Sequence, residues 1–541
     1  MTNPRNPIKP LAGRIEHYVS KMDGQRRPYA VCVTGDTGAP KPVIVEVSPG
    51  GTDLEKGVKT TENIAGIAAK YDQSCIAVRP TGRGPGSVNQ NYGEVDTLEA
   101  IDDAISKFGG DRSRISITGG SMGGAATWYL ISHNPDLFAA GAPFCGYCDY
   151  RLWEKPGGLT FHMHEWEEPS WKARSAVFLV ENFHHTPMWI IHGEWDRSVG
   201  GGVPVEHSRR MARLLEDKGF DCKYTEVPKT GHGCKKPEIW EGVIHWLLQQ
   251  EKAQTPNHVS LATFELRHNR SYWVSIDQLQ LYGDRALVDA NLLDRSEVQV
   301  RTENVRTLSL GPVPDAAAVS VMVDGQAVAR ADLTHRAAFR RDASGKWSLA
   351  ELDLSREKHH SSSGPIGDLF HDNLILVPGT SGSDAETFFL DNVSRNAKRF
   401  YQSRNGGVHR GGIMGDNNVD LPIIPDSDLS EDNRKQNNLL LYGTYSTNSI
   451  LKLYEGRLPL EFHEKSIDVC DKTFSGDRAA VFAIFPHPEN PDRCIAVHGG
   501  VTPDAVTWGS HLDMQLLPDY IAYSGGDLLA WGFWNNHWKS Q

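Results

Sequence analysis

Residues 115–124, Ile-Ser-Ile-Thr-Gly-Gly-Ser-Met-Gly-Gly, decide the fold of the first part of this 541-residue chain. The first four of them read as a short strand, and the residues after Ser121 read as a helix that runs toward Ser132. The serine thus lies in a G-x-S-x-G turn, which is so tight that only glycine fits around it. Such a turn presents the serine hydroxyl above a sheet, and the following helix points its N-terminal amides at the same place. The pattern predicts Ser121 as a nucleophile rather than as part of a bare glycine turn.

Strands and helices alternate on both sides of this turn. Apolar runs of strand length occur at residues 29–34, 43–47, 74–78, 115–118, 138–144, 188–192 and 223–227. Helical segments lie between them, around residues 64–70, 98–108, 204–215 and 237–249. This alternation is typical of a mostly parallel sheet covered by helices on both faces. The sequence therefore predicts an α/β domain over residues 28–254, preceded by an N-terminal extension, residues 1–27.

A serine hydroxyl needs a base at neutral pH, and the base needs an acid that fixes its tautomer. In chains with this serine turn, the order is serine, then acid, then histidine. Asp196 follows the predicted strand at 188–192, and His232 lies in a Thr-Gly-His-Gly turn before the last helix. Glu194 is the rival acid, but it lies closer to the strand end and reaches less easily. The order and spacing predict a triad of Ser121, Asp196 and His232, against the alternative of a surface turn histidine.

A tetrahedral intermediate needs backbone amides around its oxyanion. The amide of Met122, directly after the serine, is one expected donor. The second should come from the loop after an earlier strand, and Ser-Pro-Gly-Gly-Thr at residues 48–52 fits that place. Gly51 is the predicted donor there.

Three motifs together resemble the catalytic domain of the prolyl oligopeptidase family and its esterase relatives. They are Gly-Gly-Ser-Met-Gly-Gly at 119–124, His-Gly-Glu-Trp-Asp at 192–196 and Gly-His-Gly at 231–233. The resemblance covers about residues 28–250 and implies an α/β-hydrolase fold with Ser121, Asp196 and His232 as its triad. Prolyl oligopeptidases carry a β-propeller before this domain, whereas fewer than thirty residues precede the first predicted strand here. That departure, and the absence of a recognisable glutamate pair, favour esters over peptides as substrates.

The segment at about residues 146–186 interrupts the alternation and is rich in tryptophan and histidine. Insertions at this point of an α/β sheet lie over the carboxyl ends of the strands, so we expect a cap. Trp153, Trp166 and Trp171 are candidates for stacking on a sugar or an aromatic acid, and simple packing is the alternative. The pairs His162/His164 and His184/His185 have no matching carboxylate or cysteine pattern, and we expect no metal there.

The pattern of predicted secondary structure changes after residue 254. Short alternating β runs predict a β-rich domain over residues 255–357, and a second α/β pattern predicts a further domain over 358–541. There, Val-His-Gly-Gly at 497–500 mimics an oxyanion loop, but no serine turn follows it. The cysteines are spread thinly, and for Cys145 and Cys148, a C-x-x-C pair, packing is favoured over redox chemistry because no thioredoxin-like context surrounds them.

Composition excludes several classes of function. The net charge is −12 and no run of lysine and arginine forms a phosphate-tracking patch, so nucleic acid is not an expected partner. No stretch approaches the roughly 20 apolar residues of a membrane helix. The first ten residues lack the apolar core of a secretory signal, which predicts a cytoplasmic protein, or a secreted one if a native leader is missing.

Taken together, the patterns predict a carboxylic-ester hydrolase that works through an acyl-enzyme, without a cofactor. Its expected substrate is a small-molecule ester, with a carbohydrate-linked or an aromatic ester suggested only by the aromatic residues of the cap. A peptidase of the same mechanism and a binding or scaffold protein with a vestigial hydrolase domain are the alternatives. The oligomeric state stays open.

Overall fold

A computed structural model describes residues 12–35, 38–48, 53–84, 88–152, 154–155, 159–160, 163–197, 202–402 and 419–541. The chain forms two compact units. The first contains the described parts of Met1–His162 and Arg174–Pro256, and the second those of Met163–Ala173, Asn257–Ile413 and Asn418–Gln541. The predicted β-rich and C-terminal α/β domains both lie in the second unit, so the boundary between them stays a prediction.

An eight-stranded sheet in the order β1-β2-β4-β3-β5-β6-β9-β10 organises the first unit. Its strands are β1 (Arg14–Val19), β2 (Arg26–Thr34), β3 (Lys41–Val47), β4 (Cys75–Pro80), β5 (Gly110–Gly120), β6 (Ala140–Phe144), β9 (Met188–Gly193) and β10 (Cys222–Val227). From β4 to β10 all neighbours are parallel, whereas β1 and β2 are antiparallel. The sheet is thus the mostly parallel one that the sequence predicts, with β1 added at its edge.

Helices flank this sheet and follow its strands. They are α1 (Leu54–Lys70), α2 (Tyr92–Phe108), α3 (Met122–His133), α5 (Glu206–Asp217) and α6 (Pro237–Leu247). Every residue of β3 is buried, as expected for a strand in the middle of a sheet that is covered on both faces. The strand–turn–helix at Ser121 within such a sheet is the α/β-hydrolase architecture.

Between β6 and β9 the chain is irregular, as the sequence predicts. It contains the two-residue strands β7 (Glu154–Lys155) and β8 (Leu159–Thr160), the short helix α4 (Glu168–Ala173) and several single 3₁₀ turns. Residues 163–173 belong to the second unit and the other described residues of this segment to the first. The role of the segment as a cap stays a prediction.

Asp96, a fully buried carboxylate of α2, fixes the loop that follows β4. It accepts hydrogen bonds from the Tyr18 hydroxyl at 2.6 Å and from the Thr81 hydroxyl at 3.1 Å. The guanidinium groups of Arg27 and Arg83 lie 3.2 and 3.3 Å from the same carboxylate. Because buried charges need such partners, the cluster ties the start of the loop to the first two strands.

The second unit opens with two five-stranded sheets. Their orders are β11-β14-β15-β17-β18 and β12-β13-β16-β19-β20, and apolar side chains of both sheets form one buried core. The strands are β11 (His258–Thr263), β12 (Arg270–Ser271), β13 (Val274–Leu279), β14 (Ala286–Leu293), β15 (Glu297–Glu303), β16 (Val305–Leu310), β17 (Val319–Val323), β18 (Gln326–Ala331), β19 (Ala337–Arg341) and β20 (Trp347–Ala350). The β-rich structure predicted after residue 254 is confirmed.

A six-stranded sheet, β21-β22-β27-β26-β28-β29, and the small sheet β23-β24-β25 complete this unit. Strands β21, β22 and β27 are parallel, as in an α/β pattern, and the others are antiparallel. The elements are β21 (Leu374–Pro378), α7 (Asp384–Gln402), α8 (Glu431–Gln436), β22 (Asn438–Tyr442), α9 (Ser449–Leu453), β23 (Leu460–Phe462), β24 (Ser466–Val469), β25 (Lys472–Ser475), β26 (Ala479–Pro486), β27 (Cys494–Gly500), β28 (Tyr520–Ser524) and β29 (Asp527–Gly532). Among the helices of the described residues, none is both long and apolar enough to cross a membrane.

Candidate active site

Ser121 lies in the turn between β5 and α3, with φ 61° and ψ −117°. A positive φ is uncommon outside glycine and marks a conformation that its surroundings must hold in place. The backbone N–H of Ser121 donates to the carbonyl oxygen of Phe144 at 2.8 Å, which ties the turn to the end of β6. A Cβ on Gly123 would lie 2.2 Å from the carbonyl oxygen of Val47, so the turn requires glycine there. The close approach of the end of β3 therefore restricts the conformation of the serine turn.

The structure brings the three predicted triad residues together. The hydroxyl of Ser121 lies 2.8 Å from Nε2 of His232, and Nδ1 of His232 lies 2.7 Å from Oδ2 of Asp196. The carboxylate is buried, while the side chain of His232 is 35% exposed. With a proton on Nδ1, the imidazole donates to Asp196 and accepts the serine proton at Nε2. The arrangement is that of a nucleophile, a base and an orienting acid in hydrogen-bond contact.

Asp196 has a second histidine partner that the sequence analysis did not identify. Nε2 of His192 lies 3.1 Å from Oδ2 of Asp196, and Nδ1 of His192 lies 2.7 Å from the hydroxyl of Ser208. The backbone N–H of Val203 donates to Oδ1 of Asp196 at 3.1 Å. The available signal was the motif itself, since His192 lies in β9 only four residues before Asp196.

These contacts set the charge of Asp196. Burial by itself raises the pKa of a carboxyl group, but the hydrogen bonds from His192 and His232 outweigh it and lower the pKa of Asp196 to about 2. The side chain is therefore an anion throughout the neutral pH range. An anion at this position favours the protonated state of His232 that forms when the base takes a proton.

Glu194, the rival acid, is directed elsewhere. Its Oε2 accepts a hydrogen bond from the backbone N–H of Lys229 at 2.7 Å. It thereby links the end of β9 to the loop that leads to His232. The structure thus places Asp196, and not Glu194, against the imidazole.

Of the two predicted oxyanion donors, Met122 and Gly51, only Met122 lies within the described residues. Met122 is the first residue of α3, directly after the serine, where helix amides have no partner within the helix. Gly51 lies outside the described residues. The contribution of both amides to an oxyanion hole stays a prediction.

Of the three tryptophans predicted to contact substrate, the structure describes Trp166 and Trp171. Trp153 lies outside the described residues. Trp166 and Trp171 are buried, at 7% and 8% exposure. The ring of Trp166 stacks on His164 at 4.1 Å between centroids. Their role in substrate binding stays a prediction.

The candidate metal-binding histidines pack as aromatic rings where they are described. His184 and His185 stack on each other with their centroids 4.4 Å apart. His162 lies outside the described residues. At residues 497–500, the side chain of His498 is buried and contacts the hydroxyl of Tyr523 at 2.6 Å.

Residues 87–250 match the sequence profile of the prolyl oligopeptidase family. An uncharacterised secreted protein of Arthroderma benhamiae is 38% identical over 122 residues, which cover 21% of this chain and 12% of that protein. An acylamino-acid-releasing enzyme of Arabidopsis thaliana is 31% identical over 157 residues, which cover 26% of this chain and 20% of that protein. The chain thus spans about a fifth or less of the length of these relatives. Residues 87–250 are therefore similar to the prolyl oligopeptidase family.

Solved structures of hydrolases are similar to part of the chain. A thermostable esterase is 24% identical, with 44% of this chain and 63% of the esterase aligned and a TM-score of 0.35. An acylaminoacyl peptidase of Pyrococcus horikoshii is 18% identical, with 46% of this chain and 43% of the peptidase aligned and a TM-score of 0.36. Esterases and peptidases are both among the structural neighbours.

Proposed function

We propose, from the premise that residues 87–250 form a prolyl oligopeptidase family domain, that this protein hydrolyses carboxylic esters through an acyl-enzyme. One observation carries the proposal. It is the unbroken hydrogen-bond chain from the hydroxyl of Ser121 through His232 to the buried carboxylate of Asp196. An adjacent base of this kind converts a serine hydroxyl into a nucleophile at neutral pH.

In the proposed reaction, the Ser121 oxygen attacks the ester carbonyl while Nε2 of His232 takes the hydroxyl proton. Asp196 holds the imidazole through Nδ1 and stabilises its positive charge. The amide of Met122 donates to the oxyanion of the tetrahedral intermediate. His232 then gives the proton to the departing alcohol, and a water activated by the same base releases the acid.

Leaving-group chemistry supports esters over amides. An alcohol leaves a tetrahedral intermediate more readily than an amine does, so an ester depends less on proton delivery by His232. The side chain of His232 is 35% exposed, which supports access of the hydrolytic water to Nε2. The proposed substrates are small-molecule or carbohydrate-linked esters. The carbohydrate part of this proposal is supported only by the aromatic composition of residues 146–186.

Peptidase activity of the same mechanism is the second candidate. The similarity to the acylamino-acid-releasing enzyme of Arabidopsis thaliana favours it, since that name describes the release of an acylamino acid. Both candidates share the acyl-enzyme and differ only in the leaving group. Substrates with the same acyl group therefore separate them.

Labelling with a fluorophosphonate tests the shared mechanism. We expect the wild-type chain to be labelled, Ser121→Ala to be unlabelled, and Glu194→Gln, which alters a neighbouring carboxylate outside the triad, to be labelled like wild type. A folded wild-type chain that does not react would overturn the serine hydrolase mechanism and favour a scaffold role.

A matched pair of substrates tests the ester preference. A p-nitrophenyl ester and a p-nitroanilide with the same N-acylated amino acid differ only in the bond that is cleaved. We expect ester turnover that disappears in Ser121→Ala, and anilide turnover no higher than that of the variant. Anilide turnover that depends on Ser121 would establish the peptidase instead.

A further inference from the structure

Cys145 and Cys234 place their sulfur atoms side by side directly behind the catalytic histidine. The two Sγ atoms lie 2.7 Å apart, and both side chains are buried. Sγ of Cys145 also lies 3.6 Å from the carbonyl oxygen of His232. The two cysteines are far apart in the chain, so their contact is produced by the fold.

The pair joins the two segments that hold the nucleophile and the base. Cys145 follows Phe144, whose carbonyl oxygen accepts the hydrogen bond from the amide of Ser121. Cys234 follows His232 by two residues, in the loop between β10 and α6. A covalent bond between the sulfurs would therefore connect the anchor of the serine turn to the loop of the histidine.

The backbone conformation at Cys145 directs its side chain toward Cys234. Cys145 has φ 47°, a conformation unusual outside glycine, and its backbone N–H donates to the carbonyl oxygen of Ile191. The backbone thus holds this side chain toward the histidine loop. Cys148, the other cysteine of the C-x-x-C motif, is directed away, with its Sγ 3.3 Å from the carbonyl oxygen of His207.

We propose that Cys145 and Cys234 are an oxidative modification site that forms a disulfide and fastens the loop of His232 to the end of β6. A disulfide has an S–S distance of about 2.05 Å, so the sulfurs need to approach by only about 0.7 Å from their 2.7 Å separation. This inference goes beyond the proposed hydrolase function and does not depend on it.

The proposed oxidant is hydrogen peroxide, which is far smaller than a protein disulfide. One thiol attacks the peroxide, breaks its O–O bond, becomes a sulfenic acid and releases one water. The second thiol attacks the sulfenic sulfur, forms the S–S bond and releases a second water. Two thiols and one hydrogen peroxide thus give one disulfide and two waters, with two electrons passing from sulfur to oxygen.

The disulfide closes a covalent loop over residues 145–234 and restricts the unfolded chain. It also keeps His232 where its Nε2 already meets Ser121. We therefore expect the oxidised protein to have a Tm higher by about 5 °C. Fluorophosphonate labelling at room temperature should be unchanged, and it should persist to higher temperature in the oxidised form.

The test compares the full chain before and after hydrogen peroxide, in wild type and in Cys145→Ser, Cys234→Ser and the matched control Cys148→Ser. After alkylation of free thiols under denaturing, non-reducing conditions, peptide mapping should find Cys145 linked to Cys234 in wild type and in Cys148→Ser. The rise in Tm should occur in these two proteins, reverse with dithiothreitol, and be absent from the other two.

Mapping is independent of hydrolase activity, so the two proposals fail separately. Recovery of both Cys145 and Cys234 as alkylated thiols after oxidation would overturn the disulfide. So would a rise in Tm of equal size in Cys145→Ser. Absence of labelling in all four proteins, with the linked peptide present, would overturn only the hydrolase function.

Discussion

His192 and His232 hydrogen-bond to the same oxygen atom, Oδ2 of Asp196, at 3.1 and 2.7 Å. Nε2 of His192 also lies 3.0 Å from the carbonyl oxygen of Val203, so it carries the proton and donates. Nδ1 of His192 then accepts from the hydroxyl of Ser208. His192 is a positioning residue in this arrangement, because it touches the acid rather than the substrate.

Removal of the donor at His192 should slow catalysis without weakening substrate binding. A hydrogen bond to a charged group contributes about 1.5–3 kcal/mol, so we expect His192→Leu to lower kcat by about 10- to 100-fold with little change in KM. His192→Gln keeps an N–H donor and should recover most of the activity. Equal activity of the Leu and Gln variants, each folded by circular dichroism, would show that the hydrogen bond has no role.

The two candidate acids, Asp196 and Glu194, should respond very differently to substitution. Asp196→Asn disturbs the tautomer of His232, and we expect kcat to fall by about 10³- to 10⁴-fold. Glu194→Gln keeps an acceptor for the amide of Lys229 and should retain kcat within about twofold of wild type, since surface changes away from a site are small. Steady-state kinetics on the matched ester measure both. A larger loss in Glu194→Gln than in Asp196→Asn would reverse the assignment of the acid.

The serine turn should tolerate no side chain at Gly123. Its Cβ would lie 2.2 Å from the carbonyl oxygen of Val47, and the next nearest atoms, the carbonyl carbon of Val47 and Cα of Ser48, also belong to the main chain. We expect Gly123→Ala to reduce the free energy of unfolding by more than about 2 kcal/mol. Gly66→Ala is the matched control, because nothing lies within 4 Å of its Cβ and α1 gains about 0.5–1 kcal/mol. Thermal unfolding measures both, and a Gly123→Ala protein as stable as wild type contradicts the expected clash.

Acid should weaken the second unit through His498. Burial lowers the pKa of this histidine to about 3, from an ordinary value of 6.5. Between those two values the unfolded chain binds the proton and the folded chain does not, so stability falls as the pH decreases from 6.5 toward 3. The slope for one such group is about 1.4 kcal/mol per pH unit.

His498→Gln removes this titration and keeps a polar group near the hydroxyl of Tyr523. We therefore expect the variant to lose less Tm than wild type between pH 7 and pH 5, measured by calorimetry. His258→Gln is a useful control, because His258 is partly exposed and pairs with Asp289 on β14. An identical loss of Tm in wild type and in His498→Gln would show that His498 is not the group responsible.

The fold around Ser121 could be predicted because its signals are local. A short apolar strand, two glycines and a helix are encoded within a dozen residues, and the chain order of acid and base follows from the same architecture. Strand β1 was missed because it is an edge strand of mostly half-exposed residues, whose sequence Arg-Ile-Glu-His-Tyr-Val has no apolar run.

The missed parts of the site depend on contacts that spacing does not encode. His192 is the first residue of the motif at 192–196, but its approach to Asp196 depends on the turn that follows β9. Cys145 meets Cys234, whereas the C-x-x-C spacing directs attention to Cys148. Parallel strands bring distant residues to the same edge of a sheet, and only the three-dimensional structure shows which side chains meet there.

The position of β10 has a consequence for how the protein loses activity. Among the described strands, β10 pairs with β9 alone, and none of its residues is fully buried. Strand β5, which leads to Ser121, lies instead between β3 and β6. Outer strands with few buried contacts open before the interior of a sheet does. Local opening of β10 would displace His232 from an otherwise intact serine turn, so we expect activity to be lost before the fold is.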